Sequence, residues 1–87
     1  MNRNIELSEI ITAVKSQQEE TEIAGFFSDI FTEAELKTLS KRWRILKMLS
    51  EGKTQREISK QLKVSLCKVT RGAKILKDSK SVVTKYI

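Results

Sequence analysis

The sequence predicts an all-α fold of six helices, and three observations predict it. Proline is absent and only three glycines interrupt the chain (Gly25, Gly52 and Gly72), so long stretches run without a helix breaker. Apolar residues recur at steps of three and four, the period of a helix face. Threonines followed three positions later by glutamate stand just ahead of apolar runs, which is the signature of a capped helix start.

The elements follow in order. Ile5, Leu7, Ile10, Ile11 and Val14 mark a first amphipathic helix over roughly residues 4–16. The polar run Ser16 to Glu20 breaks it, and Ile23, Phe26, Phe27, Ile30 and Phe31 give a second helix over about 19–30 with a wide apolar face. Thr32-Glu33-Ala34-Glu35 is a capping box opening a third helix, 33–50. Its stripe is Leu36, Leu39, Trp43, Leu46 and Leu49, widened by Ile45 and Met48, and Gly52 is its natural stop. A second box, Thr54-Gln55-Arg56-Glu57, opens a short helix, 55–62, with Ile58 and Leu62 inward. Lys63-Val64-Ser65 is a tight connection, and Ser65 caps a helix over 66–76 with Leu66, Val69, Ala73 and Leu76 toward the core. A last helix is expected from Ser81 to Tyr86, within a C-terminal segment 78–87.

At 87 residues the chain has the size of one small domain, 1–87, with no repeat or linker. Folded alone it would bury only about two-thirds of its unfolded surface, so its own core is marginal. Histidine is absent and Cys67 is the only cysteine. No Cys/His metal site, no Ser-His-Asp or Cys-His catalytic pair and no internal disulfide can be built from that set. An enzyme is therefore not expected, nor a metal or cofactor. A free thiol fits a reducing compartment, and no apolar run approaches the roughly 18 residues of a membrane span. Without a visible signal peptide, the expected location is the cytoplasm.

Charge is split along the chain. Residues 1–36 carry two basic against eight acidic side chains, a net of −6, whereas residues 37–87 carry fifteen against three, a net of +12. A surface built only for solubility mixes the signs. This segregation points to a polyanionic partner for the second half, with ordinary solvated lysine faces as the plain alternative.

The segment 54–77 supplies the form of that contact. Two short helices joined by a few residues, with Ile58, Leu62, Val64 and Val69 as the packing positions, match a helix-turn-helix. Lys63 stands where the turn usually has glycine and is expected to adopt a left-handed conformation at some cost. On the outer side of the second helix Cys67, Thr70, Arg71 and Lys74 share a face, Lys68 and Lys77 edge it, and the helix has no acidic residue. Lys68 sits in the first turn, where a cation opposes the helix dipole unless an anion is nearby. Such a helix can enter the major groove of double-stranded DNA, with Gln55 and Arg56 at the start of the preceding helix reaching phosphates or groove edges. Ser59 and Leu66 complete the predicted DNA-contact set, which places Leu66 in both that set and the core set.

From Thr32 to Lys77 the sequence resembles the Trp repressor family. Gly-Lys-Thr-Gln-Arg-Glu-Ile (Gly52 to Ile58), Val64-Ser65, Val-Thr-Arg-Gly (Val69 to Gly72) and Ile-Leu-Lys (Ile75 to Lys77) carry the match, and Thr32 to Glu35 with Lys41-Arg42-Trp43-Arg44 extends it. The Gly52–Thr54 connection is one residue shorter than in the tryptophan-binding repressors. In this, and in Phe26-Phe27-x-Asp29, the chain is similar to a branch of small Trp-repressor-like proteins.

The resemblance implies an intertwined homodimer, with residues 1–50 as its shared helical core, reading a palindromic operator. It implies a transcriptional repressor with L-tryptophan as corepressor, acting on genes of tryptophan biosynthesis or uptake. Arg42 and Arg71 match the two arginines that sandwich the indole. Thr32 matches a threonine that contacts the carboxylate, and Gly72 leaves room beside the ligand. Two positions depart from the pattern: Ile75 stands where a serine is expected and Lys68 where a threonine is expected.

Each of these residues also has a plainer account. The cap explains Thr32, Arg42 is solvated between Lys41 and Arg44, Arg71 binds phosphate alone, and Trp43 belongs to the core or the dimer seam. The alternatives are a Trp-repressor-like DNA-binding regulator that needs no tryptophan or answers another ligand, and an adaptor whose basic half docks an acidic protein.

Overall fold

The computed structural model describes residues 4–87; residues 1–3, with which the predicted segment 1–50 begins, lie outside the described residues. The described residues form five α-helices and no strand: α1 (Ile5–Lys15), α2 (Glu20–Ile30), α3 (Glu33–Ser50), α4 (Gln55–Leu62) and α5 (Leu66–Lys77). The chain divides into two compact units, Met1–Leu36 and Lys37–Ile87, and the division falls where the charge changes sign.

In the first unit local bonds set the helix ends. Asn4, which no sequence pattern singles out, caps α1 by accepting from the Leu7 N–H at 2.7 Å. Phe27 and Phe31, one turn apart, stack as a tilted pair with ring centroids 5.7 Å apart. The Thr32–Glu35 box closes both ways. The Thr32 hydroxyl accepts from the Glu35 N–H at 3.1 Å, and the Glu35 carboxylate accepts from the Thr32 N–H at 2.8 Å.

The second unit holds the core. Ile58 and Val69 are fully buried, and Ile45 and Met48 of α3 close over them, with Leu49, Leu62 and Val64 packed around. Sequence periodicity makes Leu39 and Trp43 main members of the α3 stripe and Ile45 and Met48 its margin. The structure reverses this: Leu39 and Trp43 are each 42% exposed. Helical period selects a sector of a helix, but the neighbouring elements choose which edge of that sector is covered.

α3 ends as expected. Gly52 has φ +89°, its N–H donates to the Leu49 carbonyl, and the Lys53 N–H donates to the Met48 carbonyl. This pair of bonds is a Schellman motif, and the left-handed residue within it is glycine because no Cβ is present to clash. Thr54 then caps α4 by accepting from the Glu57 N–H at 3.2 Å, the outward half of the expected box.

Two expectations are corrected. Ser81 to Tyr86 is not a sixth α-helix; it holds one 3-10 turn, Val83–Lys85. The β-branched run Val82-Val83-Thr84 loses side-chain freedom in a helix. Local side-chain bonds compete as well: Asp78 accepts from the Lys80 N–H at 2.9 Å, and the Thr84 hydroxyl donates to the Ser81 carbonyl at 3.1 Å. Leu66 does not face the core; it is 46% exposed at the first residue of α5, and the buried positions of that helix are Val69 and Gly72.

Candidate nucleic-acid interface

α4 and α5 pack against each other across a corner made by Lys63, Val64 and Ser65. Lys63 takes the left-handed conformation, φ 55° and ψ 48°, as the missing glycine implies. Ser59 holds the corner on both sides. Its carbonyl accepts from the N–H groups of Lys63 and Val64, and its hydroxyl donates to the Val64 carbonyl at 2.6 Å. Ser59, expected among the DNA contacts, is thus half-buried with its proton already engaged. Val64 packs against the core, and Ser65 starts α5 by accepting from the Lys68 N–H.

This frame presents α5 outward. Cys67, Lys68, Arg71, Lys74 and Lys77 are exposed together, as are Leu66 and, at the start of α4, Arg56. Gln55 and Thr70 are half-buried because they meet each other. The Thr70 hydroxyl lies 2.8 Å from Gln55 Oε1 and 3.0 Å from the Leu66 carbonyl, one proton facing two acceptors. The Gln55 bond joins the two helices of the motif through side chains 15 residues apart. Neither the charge pattern nor the helical period signals it.

Beside α5 lies a cavity of about 230 Å³ between α3 and α5. Its floor is apolar: Ile45, Leu46, Val64 and Ile75, with Gly72. Its rim is cationic: Lys37, Lys41 and Arg42 from α3, and Lys68 and Arg71 from α5, with Thr38 as the uncharged polar member. Among the described residues no carboxylate lines it.

Three of the four residues expected around a ligand therefore come together here: Arg42, Arg71 and Gly72. Thr32 does not line this cavity; it belongs to the first unit, where it caps α3. Lys37, Lys41 and Thr38 are additions that the sequence reading lacks. Lys37 and Lys41 are one turn apart on one face of α3, a spacing that could have grouped them with Ile45.

Gly72 has a further role. A Cβ on it would meet Ile45 Cγ2 at 2.9 Å and Leu49 Cδ1 at 3.3 Å. Its lack of a side chain lets α5 approach α3 closely, which accounts for glycine at this position without any ligand. Cys67 is a free thiol on the exposed face.

Among the described residues no group of side chains could hold a metal ion, and no helix is long and apolar enough to cross a membrane. Comparison with family models matches residues 5–86 to a family described as Trp repressor protein. The Trp operon repressor homolog of Chlamydia trachomatis serovar L2 is 36% identical over 70 residues, covering 79% of this chain and 74% of the relative. The homolog from serovar D is 35% identical over 68 residues, covering 77% and 72%. No solved structure matches the chain.

Proposed function

The chain belongs to the Trp repressor family, and on that premise we propose that it is a sequence-specific DNA-binding repressor acting as a homodimer. α4 and α5 form its helix-turn-helix, and α5 enters the major groove. The observation that carries this reading is the outer face of α5, where Cys67, Lys68, Arg71, Lys74 and Lys77 are exposed on a helix without a carboxylate. A row of cations with no internal counter-charge is suited to phosphates, and a recessed Gln55–Thr70 pair beside it is suited to hydrogen-bond readout. Leu66, Cys67, Lys68, Thr70, Arg71, Lys74 and Lys77 on α5, with Gln55 and Arg56 on α4, make up the contact set. Ser59 belongs to it through the shape of the corner.

The homodimer is supported by apolar surface left uncovered. Leu39 and Trp43, one turn apart on α3, are each 42% exposed, and no residue of α1 or α2 is buried. A second copy is the partner that the family membership implies, and two recognition helices about one DNA turn apart would read a palindrome. Light scattering on the purified protein should give about twice the mass of one chain.

For the corepressor, the cavity beside α5 is the seat, with Arg42 and Arg71 as planar groups suited to an indole face and a carboxylate. One observation favours a second reading, in which DNA binding needs no tryptophan. Ile75 puts a methyl-bearing side chain where a hydroxyl is expected, and five cations surround the mouth, so the cavity itself offers no carboxylate to an α-ammonium group.

Selection of bound duplexes from a random pool, with and without L-tryptophan, tests all of this. Enrichment of a palindromic sequence supports the repressor. Enrichment only with L-tryptophan supports the corepressor, and equal enrichment without it supports the second reading. No enrichment under either condition would remove the proposal.

A further inference from the structure

We propose that the DNA contact surface continues beyond the helix-turn-helix onto α3, where Lys37 and Lys41 join Lys68 and Arg71 in holding backbone phosphate at the cavity mouth. The inference rests on the DNA-binding reading above and adds two residues from a different helix to it.

Cations that converge without a counter-charge are the first ground. Lys37, Lys41 and Arg42 of α3 and Lys68 and Arg71 of α5 all line one mouth, and among the described residues no carboxylate does. Like charges gathered this way repel one another, and an anion placed among them relieves every pair at once. Helical spacing is the second ground. Lys37 and Lys41 are four residues apart and Lys68 and Arg71 three apart, so each pair stands on one face of its helix. All four are exposed, with their charged ends available to a large partner.

Stoichiometry selects the occupant. A zwitterionic amino acid brings no net charge and a simple carboxylate brings one, against five cations. Each strand of duplex DNA carries a negative charge about every 3.4 Å of helix axis, so a strand running past α5 brings more than one charge to this mouth. Because Lys68 and Arg71 belong both to the mouth and to the outer face of α5, a strand engaged by that face already lies beside α3.

The test uses the full chain, the duplex recovered by selection and a salt series. Removing one phosphate contact lowers the slope of log affinity against log salt by about 0.9. Lys37→Gln/Lys41→Gln removes two lysines from each protomer, four from the homodimer, and should lower that slope by about 3.6 while keeping the preference for the selected duplex over a scrambled one. Lys37→Arg/Lys41→Arg should keep the wild-type slope, which separates charge from folding. Lys80→Gln/Lys85→Gln removes the same charge away from the cavity and should change the slope by less than about one.

A wild-type slope in the Lys37→Gln/Lys41→Gln protein overturns the inference and leaves the repressor standing. The same result together with abolished binding of L-tryptophan would assign the two lysines to a small ligand instead. An equal fall in both glutamine pairs overturns it in favour of net charge alone. A wild-type protein that binds no duplex overturns both readings.

Discussion

The Thr70 hydroxyl lies 2.8 Å from Gln55 Oε1 and ties α5 to α4, the helix before it. The bond engages the acceptor end of the Gln55 amide and leaves its NH2 group, a pair of donors, for a phosphate or a base acceptor. Thr70→Val keeps the shape of the side chain and removes the hydroxyl. Specific DNA binding should weaken by roughly 1–3 kcal/mol, as for removal of a polar readout group. A Thr70→Val/Gln55→Ala double variant should lose less than the sum of the two single losses, because the second change removes a group already released. Strict additivity in a titration of the four proteins would show that the bond has no part in binding.

Arg71→Ala should weaken binding to the selected duplex by roughly 1–3 kcal/mol per half-site and lower the salt slope by about two, one contact from each protomer. The residue is exposed on the α5 face and at the cavity mouth, so its removal should alter neither the melting temperature nor the dimer mass. Unchanged affinity in a fluorescence-anisotropy titration would contradict the placement of α5 in the groove.

Gly72→Ala should destabilise the fold by about 1–3 kcal/mol, since the new methyl would stand 2.9 Å from Ile45 Cγ2 and must displace packed side chains. Combined with Ile45→Ala, which removes that methyl, the cost should be smaller than the two single costs added together. Urea unfolding of the three variants measures this. A neutral Gly72→Ala would mean that the close approach of α3 and α5 is not what demands glycine.

Lys63→Gly should stabilise the protein by about 1 kcal/mol, because the left-handed φ of 55° is strained for a residue with a Cβ and free for glycine. The melting temperature should rise by about 4–8 °C, the scale for a chain of this size. Ser59→Ala should act in the opposite sense, by about 1 kcal/mol, through removal of the 2.6 Å bond to the Val64 carbonyl. A fall in melting temperature for Lys63→Gly would show that the lysine side chain stabilises the corner by a contact of its own.

Thr32→Ala should cost about 1 kcal/mol of stability through the broken cap of α3. Thr32→Asp keeps an N-cap acceptor and should restore most of that stability. Calorimetric L-tryptophan binding that survives Thr32→Asp unchanged would confine Thr32 to its structural role.

Features that arise within one turn of chain are legible without coordinates. The limits of α3, α4 and α5, the caps at Thr32, Thr54 and Ser65, the Gly52 stop and the left-handed Lys63 depend on bonds between residues three to five apart, and those bonds leave residue types at fixed spacings. The charge change near residue 36 and the carboxylate-free α5 are plain counts. The C-terminal turn departs from the helix its apolar pattern suggests because Val82, Val83 and Thr84 are apolar or small enough to fit the pattern yet poor helix formers in a row.

Packing across the fold supplies the rest. That Ile45 and Met48 rather than Leu39 and Trp43 are covered, that Leu66 is outside, that Gly72 lets two helices meet, that Thr70 reaches Gln55 and that Lys37 and Lys41 stand beside Arg71 are relations between helices. Helical period marks the side of a helix that is apolar, but it carries no record of which residue of another helix lies opposite. Close packing makes that choice, because side chains from different elements must fill one volume without overlap, and no local spacing encodes the fit.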